Sequence, residues 1–472
     1  MQSPEGLASL EARLKRDLAM IDYPEPAWVR PRADAKDVVI AGAGQGGLVT
    51  AFALLRERVG NILVIDQAPE GQEGPWRNYA RMVTLRSPKA TTGPDLGIPS
   101  LTYQAWHEAQ WGANDYAALN KIPTGNWADY LGWYRRVLGL PVENNAALEH
   151  IEPQADGLLR LHLAGNRTLL TRKLVLATGI ESSGRWWMPD IVAALPRRFR
   201  AHSCERIDFA ALQGKRVAVL GAGASAFDNA ATALEAGARV ALFARAPQLK
   251  RLQPFRWMSN CGFMRHVHAL DDAWRWRFLR HILELREAFP RETWERVTRH
   301  ADFCLHEGSP WEAVDVAGDA VRITTPKGVH EADYVIAATG LDVDLAHVPA
   351  LAAFADAIAL WSDRYTPPPD ERSARLERYP YLGPGLALTE KAPGAAPFLA
   401  NIHLFTWGST MSFGPSGASI NGMKFAIPKL VQGITRDLFT ADLEAQWASL
   451  QAYDTPEFEI TAAQRLKVLA AD

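Results

Sequence analysis

Twice in 472 residues the chain runs from a short apolar strand through a glycine-rich turn into a helix, and that duplication limits its fold more than any other feature. The first copy leads Val38-Val39-Ile40-Ala41 into Gly42, Gly44 and Gly47. The second leads Val217-Ala218-Val219-Leu220 into Gly221, Gly223 and Ala226. In such a G-x-G-x-x-G/A turn the first glycine allows a tight bend after the strand. The second lets the backbone approach a pyrophosphate, and the third permits close helix–strand packing. The helix N-terminus then offers free N–H groups and a positive dipole end to phosphates. Each copy continues into a second strand, Ile62-Leu63-Val64-Ile65 and Val240-Ala241-Leu242-Phe243. The pattern predicts an α/β fold with two Rossmann-like dinucleotide-binding domains, the second inserted into the first, because the sequence after Asp333 resumes a Rossmann-type pattern.

The expected boundaries are an N-terminal helix and extension over 1–34 and a first dinucleotide domain over 35–203. The second domain covers 204–335 with a helical insert at about 250–310, and the first domain resumes over 336–472. Leu7, Leu10, Leu14, Leu18 and Ile21 have helical spacing and predict a docked N-terminal helix, stopped by Pro24 and Pro26. Leu159, Leu161 and Leu163 alternate with polar residues ahead of Gly165-Asn166 and predict a hairpin. Residues 67–135 read as loop-rich. Residues 363–398, with Pro367, Pro368 and Pro369, read as a long surface connection.

The two units differ at the end of the second strand. Asp66 ends the first unit, and its carboxylate suits a ribose 2′-OH. The second unit ends at Ala244-Arg245, without an acid. A guanidinium there can clamp a 2′-phosphate, which predicts NADPH rather than NADH. Two dinucleotide sites on one chain imply that one cofactor passes electrons to the other, which makes FAD the first and the nicotinamide nucleotide the second.

Composition narrows the partners. A formal net charge of −2 gives no field favouring nucleic acid or an anionic membrane. No apolar run approaches a membrane span, and the early acids Glu5 and Glu11 argue against a signal peptide. Cys204, Cys261 and Cys304 are odd in number and far apart, so no dithiol centre is expected and a cytoplasmic setting fits. His266, His268 and Cys261 are too few for a metal site. The 16 tryptophans suggest aromatic-walled cavities, with Trp76, Trp106, Trp111 and Trp127 as candidate walls.

Several further segments resemble the class B flavin-dependent monooxygenases, the group of flavin-containing, Baeyer–Villiger and N-hydroxylating monooxygenases, over most of residues 35–435. Gly74-Pro75-Trp76-Arg77 is similar to the segment beside the flavin, and Ser87-Pro88-Lys89 to the next S/T-P-K segment. Ala177-Thr178-Gly179 and Ala338-Thr339-Gly340 resemble the paired strand ends where the chain crosses between domains. His202-Ser203 matches the His-Ser before the second unit, and Gly417 through Phe425, leading into Pro428, resembles the segment closing over the flavin ring. Pro196, Arg198 and Arg206 stand where the Baeyer–Villiger fingerprint needs Phe, Gly and an aromatic. Arg86 replaces the Asn found in flavin-containing monooxygenases.

The resemblance implies an NADPH-dependent FAD monooxygenase. It would insert one oxygen atom from O₂ into a small organic substrate through a C4a-(hydro)peroxyflavin, by N- or S-oxygenation rather than Baeyer–Villiger oxidation. The alternative is an NAD(P)H-dependent flavin oxidase or reductase that releases hydrogen peroxide. Arg77, Arg86 and His202 are the candidate catalytic residues. Gly42, Gly44, Gly47, Asp66, Trp76, Thr178, Gly221, Gly223, Ala226, Arg245, Thr339, Asn421 and Met423 are the candidate cofactor residues. The arginines of 250–310 read as a solvated face paired with Glu284, Glu287, Glu292 and Glu295, or alternatively as a site for an anionic substrate. The resemblance also implies a homodimer.

Overall fold

The computed structural model describes residues 5–24, 27–30, 32–415 and 419–469. Two sheets organise it, the first mixed and the second all parallel. The first has seven strands centred on Lys36–Ala41, which pairs in parallel with Ile62–Ile65 on one side and Arg167–Leu176 on the other. Val142–Glu143 extends it beyond Ile62–Ile65, also in parallel. On the far side lies the antiparallel pair Leu148–Pro153 and Leu159–Leu163, and Ile402–Leu404 adds in parallel to Arg167–Leu176. Val38, Val39 and Ile40 are fully buried, as expected of a strand covered on both faces. Each such side chain contributes roughly 1.5–3 kcal/mol of burial.

The second sheet has five parallel strands. Arg216–Leu220 lies between Arg239–Phe243 and Tyr334–Ala337, with Phe303–His306 and Arg200–His202 at the edges. A three-stranded antiparallel sheet, Ala313–Ala317, Ala320–Thr325 and Gly328–Ala332, precedes the return strand. The chain crosses out at Gly184–Trp186 and back at Leu341–Val343, and these two segments pair antiparallel with each other. Ala201 pairs with Ile336, so the second sheet takes in the strands at 200–202 and 334–337. It therefore begins before the expected 204 and ends after the expected 335.

The N-terminal helix Leu7–Ala19 buries Leu10, Leu14 and Leu18 and is tied down by Arg136–Glu11 and by the Ser100 hydroxyl donating to Asp17. Pro26, expected to help stop it, lies outside the described residues. The hairpin turn falls at Gly165-Asn166, both with positive φ (80° and 56°). The long helix Ile420–Ala441 is held to the first sheet by two ion pairs, Lys173 Nζ to Asp437 at 2.9 Å and Arg172 to Asp442 at 2.8 Å.

Two expectations need correction. The end of the segment read as loop-rich folds into helices Tyr103–Trp111, Ala113–Ala118 and Thr124–Val137, whose rings pack on one another and bury Trp106, Trp127, Tyr130 and Tyr134. The segment 363–398 is not a surface connection throughout. Leu376, Tyr379, Leu382, Leu386 and Leu388 are buried along it, and short turns rather than long elements carry them.

Candidate functional site

The first turn is built as its glycines require. Gly42 has φ +104°, and a Cβ there would lie 2.5 Å from the Ala177 carbonyl oxygen. At Gly47 it would fall 1.7 Å from the Gly42 oxygen. Gly44 caps helix Gln45–Arg56 without offering a side chain, which leaves the first N–H groups for a ligand. Asp66, nearly buried, accepts hydrogen bonds from the Ala43 and Ala68 N–H groups, both at 2.7 Å. Burial pushes its pKa up, and those two N–H groups oppose the shift. The carboxylate thus braces the turn and, lining the cavity, keeps lone pairs for a ribose.

From this turn a cavity of 1520 Å³ runs between the two halves of the molecule. Gly42, Gly44, Asp66, Trp76, Arg86, Thr178 and Asn421 line it. Two polar atoms in its wall, Trp76 Nε1 and Thr178 Oγ1, are buried with no hydrogen-bond partner among the described residues. Buried donors are rarely left unpaired, so these mark contacts for a bound group. The glycine cradle, the cavity and the unpaired wall atoms together fit FAD.

The second turn repeats the build. Gly221 has φ +127°, and its Cβ would meet the Ala338 carbonyl oxygen at 2.4 Å. A Cβ on Gly223 would meet nothing within 4 Å, which leaves room for a pyrophosphate over helix Ala224–Glu235. Ala226 is fully buried, so this turn accommodates a methyl where the first cannot. These features fit a second dinucleotide. Arg245 is exposed beyond the end of Arg239–Phe243.

Among the candidate catalytic residues, Arg86 alone lines the cavity. It reaches from the first half to Asp228 on the second nucleotide helix at 3.3 Å, and to Glu287 at 3.6 Å. Asp228 is 3% exposed. Burial pushes its pKa up, while Arg86, Arg296 and the Thr293 hydroxyl oppose the shift. Arg77 is exposed, paired with Asp129 and outside the cavity lining. His202 is buried against Trp186, with ring centroids 5.3 Å apart, and its Nδ1 lies 3.0 Å from Cys204 Sγ. Desolvation pushes its pKa down to about 4, so it is neutral at neutral pH and orders the crossing beside the cavity.

The remaining candidates separate by position. The Thr339 hydroxyl donates to the Trp187 carbonyl and fastens the return crossing. Met423 is a fully buried core residue, which corrects its assignment to the cavity wall. Asn421 does reach the cavity, where its Nδ2 donates to the Ser259 hydroxyl at 2.9 Å and links the helical insert to the C-terminal helix. The expected closing segment begins at Gly417, which lies outside the described residues. Of the four candidate wall tryptophans only Trp76 lines the cavity, and Trp106 and Trp127 are core.

Sequence reasoning did not single out Gln45, Lys89, Cys204, Phe255 or Ser259 as cavity residues, yet all of them line it. They are scattered along the chain, and no linear spacing connects them. Arg251 and Arg256 also line the cavity and make no ion pair among the described residues. The other insert arginines mostly pair with acids: Arg277–Glu371, Arg280–Glu284, Arg291–Glu295 and Arg296–Glu235. Glu287 and Glu292, expected within the same face, instead reach Arg86 and Lys121 across the cleft. The three cysteines form no disulfide, and the described residues contain no group of three or more side chains able to hold a metal ion. Nor does any described helix have the length and apolarity to cross a membrane.

Residues 39–261 match the family described as pyridine nucleotide-disulphide oxidoreductase. The chain is 46% identical over 460 residues to the FAD-dependent urate hydroxylase of Xanthomonas campestris pv. campestris, covering 96% of this chain and 97% of that one. Its fold is similar to that of L-lysine 6-monooxygenase from Pseudomonas syringae (TM-score 0.66, 18% identity, covering 85% of this chain and 99% of that one). It is equally similar to ornithine hydroxylase from Pseudomonas aeruginosa (TM-score 0.65, 18% identity, covering 86% and 100%).

Proposed function

The chain belongs to the family of the FAD-dependent urate hydroxylase, and from that premise we propose that it is a class B flavin-dependent monooxygenase that hydroxylates urate or a closely similar anionic oxopurine with FAD, NADPH and O₂. Oxygenation of a small nitrogenous molecule is common to the urate-hydroxylating relative and to the lysine monooxygenase and ornithine hydroxylase of the same fold. The observation that favours an oxopurine over an amine is the unpaired Arg251 and Arg256 in the cavity wall. Lysine and ornithine present a cationic side chain to their hydroxylases, whereas urate is a planar anion near neutral pH. Two free guanidiniums attract such an anion and repel an ammonium.

Bound FAD supplies two-electron redox chemistry and the activation of O₂, with NADPH as the hydride source. This chain's residues do the rest. Gly42, Gly44 and Gly47 cradle the FAD pyrophosphate and Asp66 braces that turn. Trp76 and Thr178 offer the wall donors that lack partners. Gly221, Gly223 and Ala226 form the NADPH turn. Arg86 holds the halves in register through Asp228, keeping the cleft narrow and water scarce. Phe255 lines the same cavity as Arg251 and Arg256 and offers a ring on which a planar substrate stacks.

The test is turnover of the FAD-loaded protein with NADPH and urate under ¹⁸O₂. We expect one labelled oxygen atom in the product and one product per NADPH consumed. Hydrogen peroxide equal to the NADPH consumed, with no labelled product, would overturn the reading in favour of a flavin oxidase. In Arg251→Ala and Arg256→Ala we expect the urate KM to rise about tenfold each, the scale of one charge-assisted contact.

A further inference from the structure

Arg245, Arg286 and Arg375 make no ion pair among the described residues. They come from three separate stretches of the chain. Arg245 follows the strand Arg239–Phe243 of the second nucleotide unit. Arg286 ends the insert helix Asp272–Leu285, and Arg375 lies in the short helix Ala374–Glu377 after the chain has returned to the first half.

Packing brings the three together. Leu283, one turn before Arg286, shares a buried cluster with Leu376, the neighbour of Arg375. On its other side the Arg286 segment is laced to the stretch just beyond Arg245. The Ala288 N–H donates to the Leu252 carbonyl at 2.9 Å, and Gln253 Nε2 donates to the Ala288 carbonyl at 3.1 Å. Burial, then Arg375, then Arg245 depress the pKa of Arg286, as expected where like charges are gathered without a carboxylate.

The backbone at Arg286 has φ +54° and ψ 148°, a positive-φ conformation that residues other than glycine rarely adopt. Three cations held close together, one of them on a positive-φ backbone, form a site that an anion would relieve. The cluster lies past the end of the second nucleotide strand, on the side of the adenine ribose.

We propose that Arg286 and Arg375 complete, with Arg245, a composite site for the 2′-phosphate of NADPH. This rests on the reading that the second turn holds NADPH. Arg245 and Arg286 belong to the inserted unit and Arg375 to the host half. The 2′-phosphate therefore bridges the two halves as well as selecting the nucleotide, and NADH lacks the group needed to make that bridge.

The FAD-loaded enzyme tests this through the rate of flavin reduction by NADPH and by NADH, with adenosine 2′,5′-bisphosphate and 5′-AMP as competing probes. In Arg375→Ala we expect KM for NADPH to rise about tenfold at unchanged kcat. Inhibition by the bisphosphate should weaken by a similar factor, while NADH turnover and 5′-AMP inhibition stay as in the wild type. Arg286→Gln should behave alike, and Arg375→Lys should recover part of the loss. An equal fall with NADPH and NADH would show a structural role and overturn the proposal, as would no change with either. A wild type indifferent between the nucleotides would overturn it too, while product formation from urate, measured separately, would leave the oxygenation reading standing.

Discussion

The two nucleotide turns share the backbone hydrogen bonds that close them, and they part at two places, the third small residue and the step after the second strand. Gly42 N–H donates to Ile65 carbonyl at 2.7 Å, and Gly221 N–H to Phe243 carbonyl at 3.0 Å. The next residues, Asp66 and Ala244, then donate to Glu143 and His306 across the neighbouring strand. Asp66 and Ala244 are therefore equivalent positions, and Arg245 stands one residue beyond. In the first turn a carboxylate reaches back to the Ala43 N–H. In the second a methyl group leaves that place neutral and the charge moves outward. The backbone of the two turns is alike, whereas the charge just past the second strand is not: a carboxylate in the first and a guanidinium one residue further on in the second.

The hardest break in the comparison is steric. Gly47→Ala should abolish FAD retention, because its methyl would sit 1.7 Å from the Gly42 oxygen, whereas Ala226→Gly at the matching place should leave NADPH binding within a few-fold. Flavin content after purification reads the first and the KM for NADPH the second. Next comes charge. Ala244→Asp writes the first turn's acid into the second, and we expect about a hundredfold loss in kcat/KM for NADPH with NADH largely spared, the size of a like-charge clash with a dianion. Retention of the NADPH preference would break the equivalence of Asp66 and Ala244.

Arg86→Ala leaves the buried Asp228 on the second nucleotide helix with only Arg296 and the Thr293 hydroxyl beside it. Because Arg86 is a third exposed, the expected cost is only about 1–2 kcal/mol, read as a lower melting temperature. Asp228→Asn in the same chain should restore most of it.

The smallest effect is a pH response that the two sheets share. His202 in the second and His403 in the first are both buried, and burial pushes each pKa down to about 4. The unfolded chain binds those protons near pH 6.5, so the folded state loses stability as pH falls from about 7 towards 4. Each histidine should account for about 2 kcal/mol by pH 5, and His403→Phe should flatten the acid side of the melting profile.

The two turns were readable from sequence because each demands glycine at fixed spacing and an apolar strand before it. The strand after Asp333, read as the first domain resuming, instead closes the second sheet, and the first sheet is rejoined only at Ile402–Leu404. The helices Tyr103–Trp111 and Thr124–Val137 were not readable. Their tryptophans, tyrosines and scattered glycines carry little helical propensity, and edge-to-face packing of one ring on another holds them. The buried stretch around Leu376 and Leu386 was hidden by its prolines, which mark turns whether a segment is solvated or packed. Asp228 carries no signal of its own in the sequence; its meaning depends on Arg86, which lies far off in sequence. The bracing role of Asp66 was likewise out of reach, since the carboxylate's partners are backbone groups that come within reach only once the turn is folded.

The paired ribbon of Gly184–Trp186 and Leu341–Val343 has a consequence for how such a chain can change. Its two strands are hydrogen-bonded neighbours, and the Trp187 N–H donates to the Gly340 carbonyl at 2.9 Å just beyond them. The whole inserted unit thus begins and ends at one spot on its host. A segment attached in that way behaves like a cassette: it can be lengthened, trimmed or exchanged for another nucleotide-reading unit while the host keeps its own sheet and its own cofactor.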